Sequence, residues 1–145
     1  MKTELYQAET EKLCRLHESI LDEACRRLNA GNHFSDMEKQ GIIHSLQVLV
    51  ENAIGKAKLL LKEHGCEVPV SAHDVFASLK GQGLISAAEQ QQWRKAVGFR
   101  NTVVHEYMDV SEAIVFNIIR QRDYRKVLSF LRKSFDAFAT GSRSG

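Results

Sequence analysis

Apolar residues recur at steps of three and four along most of the chain, the spacing that gathers them on one side of an α-helix. Leu5, Leu13, Leu16, Ile20, Ala24 and Leu28 follow this rule with charges between them, which predicts one long amphipathic helix ended by Gly31. Ser35 with Glu38 three residues on reads as a capping box. The helix it opens carries Ile42, Ile43, Leu46, Leu49, Val50, Ala53, Ile54, Ala57, Leu60 and Leu61 and stops at Gly65. Its apolar stripe is wide, so it should be the most buried element. After the connection CEVPVS with Pro69, Ser71 and Asp74 start a short helix bearing Val75, Phe76 and Leu79, ended by Gly81 and Gly83. Ser86 with Glu89 makes another capping box and opens a helix through Trp93, Val97, Phe99 and Val103. The last region runs from Ile114, Val115, Ile118 and Ile119 to Tyr124, Val127, Leu128, Leu131, Phe135 and Phe138. It reads either as one bent helix or as two short ones.

Long helices joined by short loops predict an all-α fold, an up-and-down four-helix-type bundle with one or two additional short helices. The 145 residues suit a single helical domain over 1–139, followed by a small polar tail, TGSRSG, at 140–145 that is expected to be flexible. A single proline and nine glycines leave little turn chemistry for a many-stranded fold, and 43% apolar residues suffice for one core. Cys14 and Cys25, eleven residues apart, fall on one helical face, where free thiols behave as small apolar groups. With Cys66 they form no CxxC pair, so reduced thiols and a cytoplasmic location are expected. The opening MKTELYQAETEKL lacks the apolar core of a signal peptide. No apolar run approaches the about 18 residues that suggest a membrane span, so no membrane association is expected.

A net charge of +2 and a pI near 8.5 are too mild to argue for nucleic acid by themselves. The charge is uneven, however. Residues 120–133 hold Arg120, Arg122, Arg125, Lys126, Arg132 and Lys133 against one acid, Asp123. This is either a solvated face or a phosphate-contacting surface, and Arg120, Arg122, Arg125 and Lys126 are its RNA-binding candidates. His17, His33, His44, His64 and His73 show no ligand spacing, so neither a metal nor a cofactor is expected. Trp93 and the phenylalanines, at helical spacing, read as core or dimer interface rather than as a stacking platform for bases.

The polar residues that a core does not require gather late in the fourth helix, in FRNTVVHEYMDV: Arg100, Asn101, His105 and Tyr107. At about 100° per residue, Asn101 and His105 lie about 40° apart, and Arg100 and Tyr107 about 20°. Arg100 and His105 are about 140° apart, too wide for one tight site unless the helix ends near His105 or two chains contribute. The residue types suit phosphodiester cleavage without a metal. An arginine offers a fork of donors to phosphate oxygens and stabilises charge building on phosphorus. A histidine ionises near neutrality and can move a proton from a ribose 2′-OH or to a departing 5′-oxygen. The asparagine could orient the imidazole or hold the phosphate. Glu106 and Asp109 flank the motif without metalloenzyme spacing. An Arg–His pair alone is expected by chance, and the chain has its own decoy in Arg27 and His33; adding Asn101 and Tyr107 makes the pattern specific. Gly98, inside the same helix, would permit close approach of a second helix or be neutral.

FRNTVVHEY resembles the signature of the HEPN domain, in particular its HepT-like branch of bacterial ribonuclease toxins. The resemblance extends to most of the chain: a helical bundle of this length, the motif late in the fourth helix, and a helical segment after it. It implies a metal-independent endoribonuclease that acts as a homodimer, with two motifs facing each other across a cleft. Arg100 and His105 would be the catalytic pair, Asn101 the polar partner, and RNA the substrate. Tyr107 would be the tyrosine that a minimal nucleotidyltransferase antitoxin modifies with AMP. The antitoxin's own Gly-Ser and Asp-x-Asp signature is absent here, where the only Gly-Ser lies in the tail, so that partner would be another chain. The contrasting readings are a catalytically inactive helical module that docks on or presents substrate to a nucleotidyltransferase, and, without a phosphate loop to support it, a nucleotide-binding bundle.

Overall fold

The computed structural model describes residues 2–105 and 110–139. Among these residues every regular element is a helix: α1 (Lys2–Asn29), α2 (Asp36–Glu63), α3 (Ala72–Gly81), α4 (Ala87–His105), α5 (Glu112–Gln121), α6 (Tyr124–Arg132) and α7 (Phe135–Ala139). The chain-punctuating chemistry lies where the pattern placed it. Ser35 and Glu38 exchange both hydrogen bonds of a capping box at 3.1 and 2.9 Å, and Ser86 and Glu89 do the same at 3.1 and 2.8 Å. Ser71 accepts from the backbone N–H of Asp74 at 3.1 Å, although no return bond closes the box. Gly31, Gly65 and Gly83 follow their helices at φ of 80°, 71° and 75°, a left-handed conformation that costs glycine no Cβ clash.

Of the two readings of the last region, the broken one holds. Arg122 caps α5 at φ 55°, and α6 restarts two residues later. A bend of this kind lets α5 and α6 each lay an apolar face on α1, and α6 a second one on α2. The structure adds the short α7, which brings Phe135 and Phe138 into the core.

The core runs the length of α2, as its wide stripe predicts, and takes in Cys14, Cys25, Trp93, Tyr124 and Leu131. Trp93 stacks on Phe76 at 4.4 Å with 9° between the rings and meets Phe130 edge-on at 4.8 Å, so it is core. Removing such a ring typically costs about 3–5 kcal/mol. Burial raises the Cys14 thiol above its ordinary range, in keeping with an inert apolar role.

For α1 the expected stripe is displaced. Leu5 and Leu16 are 68% and 58% exposed, and Ile20 is exposed as well. The buried line is Thr10, Cys14, His17, Leu21 and Ala24, joined by Cys25. These positions keep an unbroken alternation of three and four, but their small and polar side chains disguise it. The leucines one step away looked more hydrophobic and lie about 100° round the helix. His17 is accommodated by a 2.9 Å hydrogen bond between its Nδ1 and the buried Ser45 hydroxyl. Burial, and secondarily His44, lowers its pKa.

Lys56 is the polar centre of the fold. Its side chain is 0% exposed, in the middle of the α2 stripe. Its ammonium donates to the carbonyls of Phe130 at 2.9 Å and Leu131 at 2.8 Å, to that of Lys133, and to the Gln7 amide oxygen at 3.3 Å. The rings of Phe130, Phe135 and Phe138 lie 5.3–5.7 Å from it. The three carbonyls belong to the end of α6, where helix geometry leaves acceptors unfilled and the dipole favours a cation. Tyr124 adds a 2.6 Å bond to Asp22, and Arg132 reaches both Glu11 and Glu18 at 3.0 Å. The C-terminal helices are thus fastened to α1 and α2 by polar bonds as well as by packing.

Candidate active site

α4 rests on α2 and α3, whereas α6 rests on α1 and α2. Between α4 and α6 a groove of about 430 Å³ opens over Leu46, Leu49 and Val50 of α2, with Lys95, Lys126 and Lys133 among its charged lining. α4 keeps only Trp93, Val97 and Val103 fully inside, so much of its remaining surface is available for other work.

α4 ends at His105, so the angular arithmetic holds from Arg100 to the last helical residue, and one of the two conditions for bringing the pair together, a helix end near His105, is met. Two residues of the motif lie on nearly the same side: Asn101 is half-buried and His105 is exposed at the helix end. Neither side chain has a hydrogen-bond partner among the described residues. Arg100 is turned about 140° from His105 and lies half-buried, its side chain 20% exposed. Its Nε is 3.5 Å from Oε1 of Glu51 on α2, an ion-pair distance without hydrogen-bond geometry. That Nε is buried and has no hydrogen bond. Within one chain the helix pitch separates Arg100 from His105 by about 140°. Thr102 spends its hydroxyl on the Gly98 carbonyl at 3.1 Å. A Cβ at Gly98 would meet nothing within 4 Å, so packing among the described residues does not require its smallness. Tyr107, with its neighbours Glu106 and Asp109, lies outside the described residues, as does the tail 140–145.

The basic candidates do not form one stripe. Arg122 donates its Nε to the Cys25 sulfur at 3.4 Å, and Arg125 is 3.8 Å from Asp22; both face α1. Arg120 lines a small cleft with Phe34, Phe116 and Glu112, near the Lys39–Glu112 ion pair at 2.6 Å. Lys126 is the one of the four on the α4 side, at the groove. Among the described residues no three His, Cys, Asp or Glu side chains converge as metal ligands, and no helix is long and apolar enough to cross a membrane.

Sequence reasoning passed over Glu51 and Lys56. The second had a signal, a lysine inside an apolar stripe of the most buried helix. The first had none, because a glutamate in a long helix is ordinarily a solvated residue and its partner is on another element.

Comparison with known proteins places the chain in a family. A family model described as "Ribonuclease HepT-like" matches residues 14–134, a span that includes Arg100, Asn101, His105 and Tyr107. The protein described as mRNA nuclease HepT from Shewanella oneidensis (strain MR-1) is 25% identical over 96 residues, 65% of this chain and 72% of its own length. A solved structure described as "Crystal structure of the toxin-antitoxin with AMP-PNP" superposes with a TM-score of 0.68 at 18% identity, over 89% of this chain and 96% of that one. At that identity the likeness is one of fold. With a family match across most of its length, the chain belongs to the HepT-like ribonuclease family.

Proposed function

We propose that this chain is a metal-independent endoribonuclease, the toxin of a toxin–antitoxin pair, and that two copies build its cleavage site. The observation that carries the reading is the state of α4: an arginine whose side chain makes no hydrogen bond, and an exposed histidine whose side chain has no partner among the described residues, five residues further along one helix. The guanidinium's Nη donors, which no described residue fills, are what a phosphate ligand would complete. The angle between the two residues supports a site made from Arg100 of one copy and His105 of another.

In the proposed reaction the ribose 2′-oxygen attacks its own phosphodiester. The 2′-O–P bond forms, the P–5′-O bond breaks, and the products are a 2′,3′-cyclic phosphate and a free 5′-hydroxyl. His105 moves the proton from the 2′-OH or onto the departing 5′-oxygen. Arg100 stabilises the extra charge on phosphorus, and Asn101 positions the phosphate or the imidazole. No metal or cofactor is assigned a role.

The partner in this reading is a minimal nucleotidyltransferase that adenylylates Tyr107. The added group brings bulk and a negative phosphate close to Arg100 in sequence, which excludes RNA phosphate sterically and by charge. The structural relative determined as a toxin–antitoxin with AMP-PNP supports a partner of this kind. Tyr107→Phe should retain cleavage and escape neutralisation. The full reading is tested by incubating the protein alone with total RNA in the presence of EDTA and mapping fragment ends. Wild type should leave cyclic-phosphate ends, and Arg100→Ala and His105→Ala should not; cleavage that persists in His105→Ala, or that EDTA abolishes, contradicts it. A wild type that binds the nucleotidyltransferase but never cleaves would favour the docking module.

A further inference from the structure

The environment of Arg100 contains a residue that the motif does not. Glu51 projects from α2, near the middle of the element that supplies more of the core than any other, and its carboxylate meets the guanidinium of α4 from the Nε edge. This is an interhelical pair, with 44% of the Glu51 side chain and 20% of the Arg100 side chain exposed. The pair is partly exposed at the Glu51 side and lacks hydrogen-bond geometry, so it contributes little to stability.

The geometry is asymmetric. Of the three guanidinium nitrogens, only Nε is buried without a hydrogen bond; neither Nη has a partner among the described residues, and both retain contact with solvent. A guanidinium has five N–H donors in a fixed planar fork, so restraint at one edge fixes the direction of the others. A carboxylate beside Nε limits rotation of the plane and supplies counter-charge. It leaves the two Nη groups, the pair that meets two phosphate oxygens at once, unoccupied.

We propose that Glu51 is a positioning residue for Arg100: it restrains the guanidinium from the Nε edge so that the two Nη groups face the scissile phosphate. When the phosphorane forms, the fork is already oriented and little reorganisation remains, the condition under which a cationic donor lowers a barrier most. The 3.5 Å separation, longer than a hydrogen bond, leaves room for the guanidinium to tighten onto either partner as charge develops.

The proposal rests on the reading of Arg100 as the phosphate-binding residue, so Arg100→Ala is measured first. If that variant cleaves RNA like wild type, the functional reading fails and this proposal with it. If it does not, Glu51→Gln decides the proposal separately. This variant keeps the size of the side chain and removes its charge. Its kcat should fall about tenfold with KM within about twofold, because preorganisation acts in the transition state rather than on ground-state binding. Its melting temperature should stay within a few degrees of wild type. A second readout uses Arg100→Lys, which lacks an Nε edge: in that background Glu51→Gln should cause no further loss, since the two residues act as one unit. A Glu51→Gln enzyme with wild-type kcat, or a loss that simply multiplies with that of Arg100→Lys, overturns the proposal.

Discussion

Two cations in this molecule are treated in opposite ways. Lys56 is entirely buried, and its three ammonium donors share four oxygens: three carbonyls at the end of α6 and the amide of Gln7, inside a box of phenylalanine rings. Arg100 keeps some exposure, and its one buried N–H has only a carboxylate 3.5 Å away. A buried donor without a partner is costly, so native structures leave few of them. The fold satisfies the cation it uses for its own cohesion and leaves unsatisfied the one that the proposed function assigns to RNA phosphate. Hydrogen bonds alone thus distinguish a fully satisfied polar centre from a cation left open for the proposed ligand.

Substitution should break the comparison in the two opposite senses. Arg100→Ala should lower RNA cleavage by at least about a hundredfold while leaving thermal unfolding nearly unchanged, a separation that activity and melting assays on one preparation read directly. Lys56→Met should do the reverse. It leaves the carbonyls at the end of α6 without donors, and stability should fall by on the order of 3–5 kcal/mol in denaturant titration, with cleavage per folded molecule preserved. A cleavage defect in folded Lys56→Met would show that the two regions are coupled.

The basic segment gives a smaller contrast. Lys126 sits at the groove between α4 and α6, whereas Arg122 and Arg125 turn toward α1. Lys126→Glu should weaken RNA binding by about tenfold and reduce the salt slope by about one, as expected for loss of one phosphate contact. Arg122→Glu should act mainly on stability. Equal binding losses from both would mean that the whole segment meets RNA.

The smallest effect concerns protons. Burial pulls the Lys56 ammonium down to about 8, below the 10.5 of a free lysine. Between those values the unfolded chain holds the proton and the folded chain releases it, so this group adds stability as pH rises. Buried Cys14, raised above its ordinary value of 9.0, acts in the other direction at higher pH. The window is therefore pH 8 to 9, where the stability gap between wild type and Lys56→Met should widen by up to about 1 kcal/mol. A constant gap would remove Lys56 as the titrating group.

Much of this contrast could be read in the chain before folding. Ser35–Glu38 and Ser86–Glu89 mark helix starts by short-range hydrogen bonds that sequence spacing alone determines, and Gly31 and Gly65 mark ends by backbone freedom. The motif residues were readable for the same reason, since Arg100, Asn101 and His105 share one helix and their mutual angles follow from its pitch. What stayed hidden depends on other elements. Nothing in Leu16 reveals that Cys14 and His17 are the ones facing α2, and nothing in Glu51 reveals Arg100, forty-nine positions away. Lys56 was half visible: its place in the stripe is local, but the α6 carbonyls that satisfy it arrive more than seventy residues later.

The central claim is that Arg100 of one copy and His105 of another make one cleavage site. Mixing the two inactive variants tests it most directly. In a two-fold dimer that pairs Arg100→Ala with His105→Ala, one of the two sites retains both residues only if each site draws on both chains. With half of the dimers mixed, cleavage should recover to about a quarter of the wild-type rate, in EDTA. Mixed dimers that form, as differential tags would show, yet cleave no better than either variant alone would contradict the account.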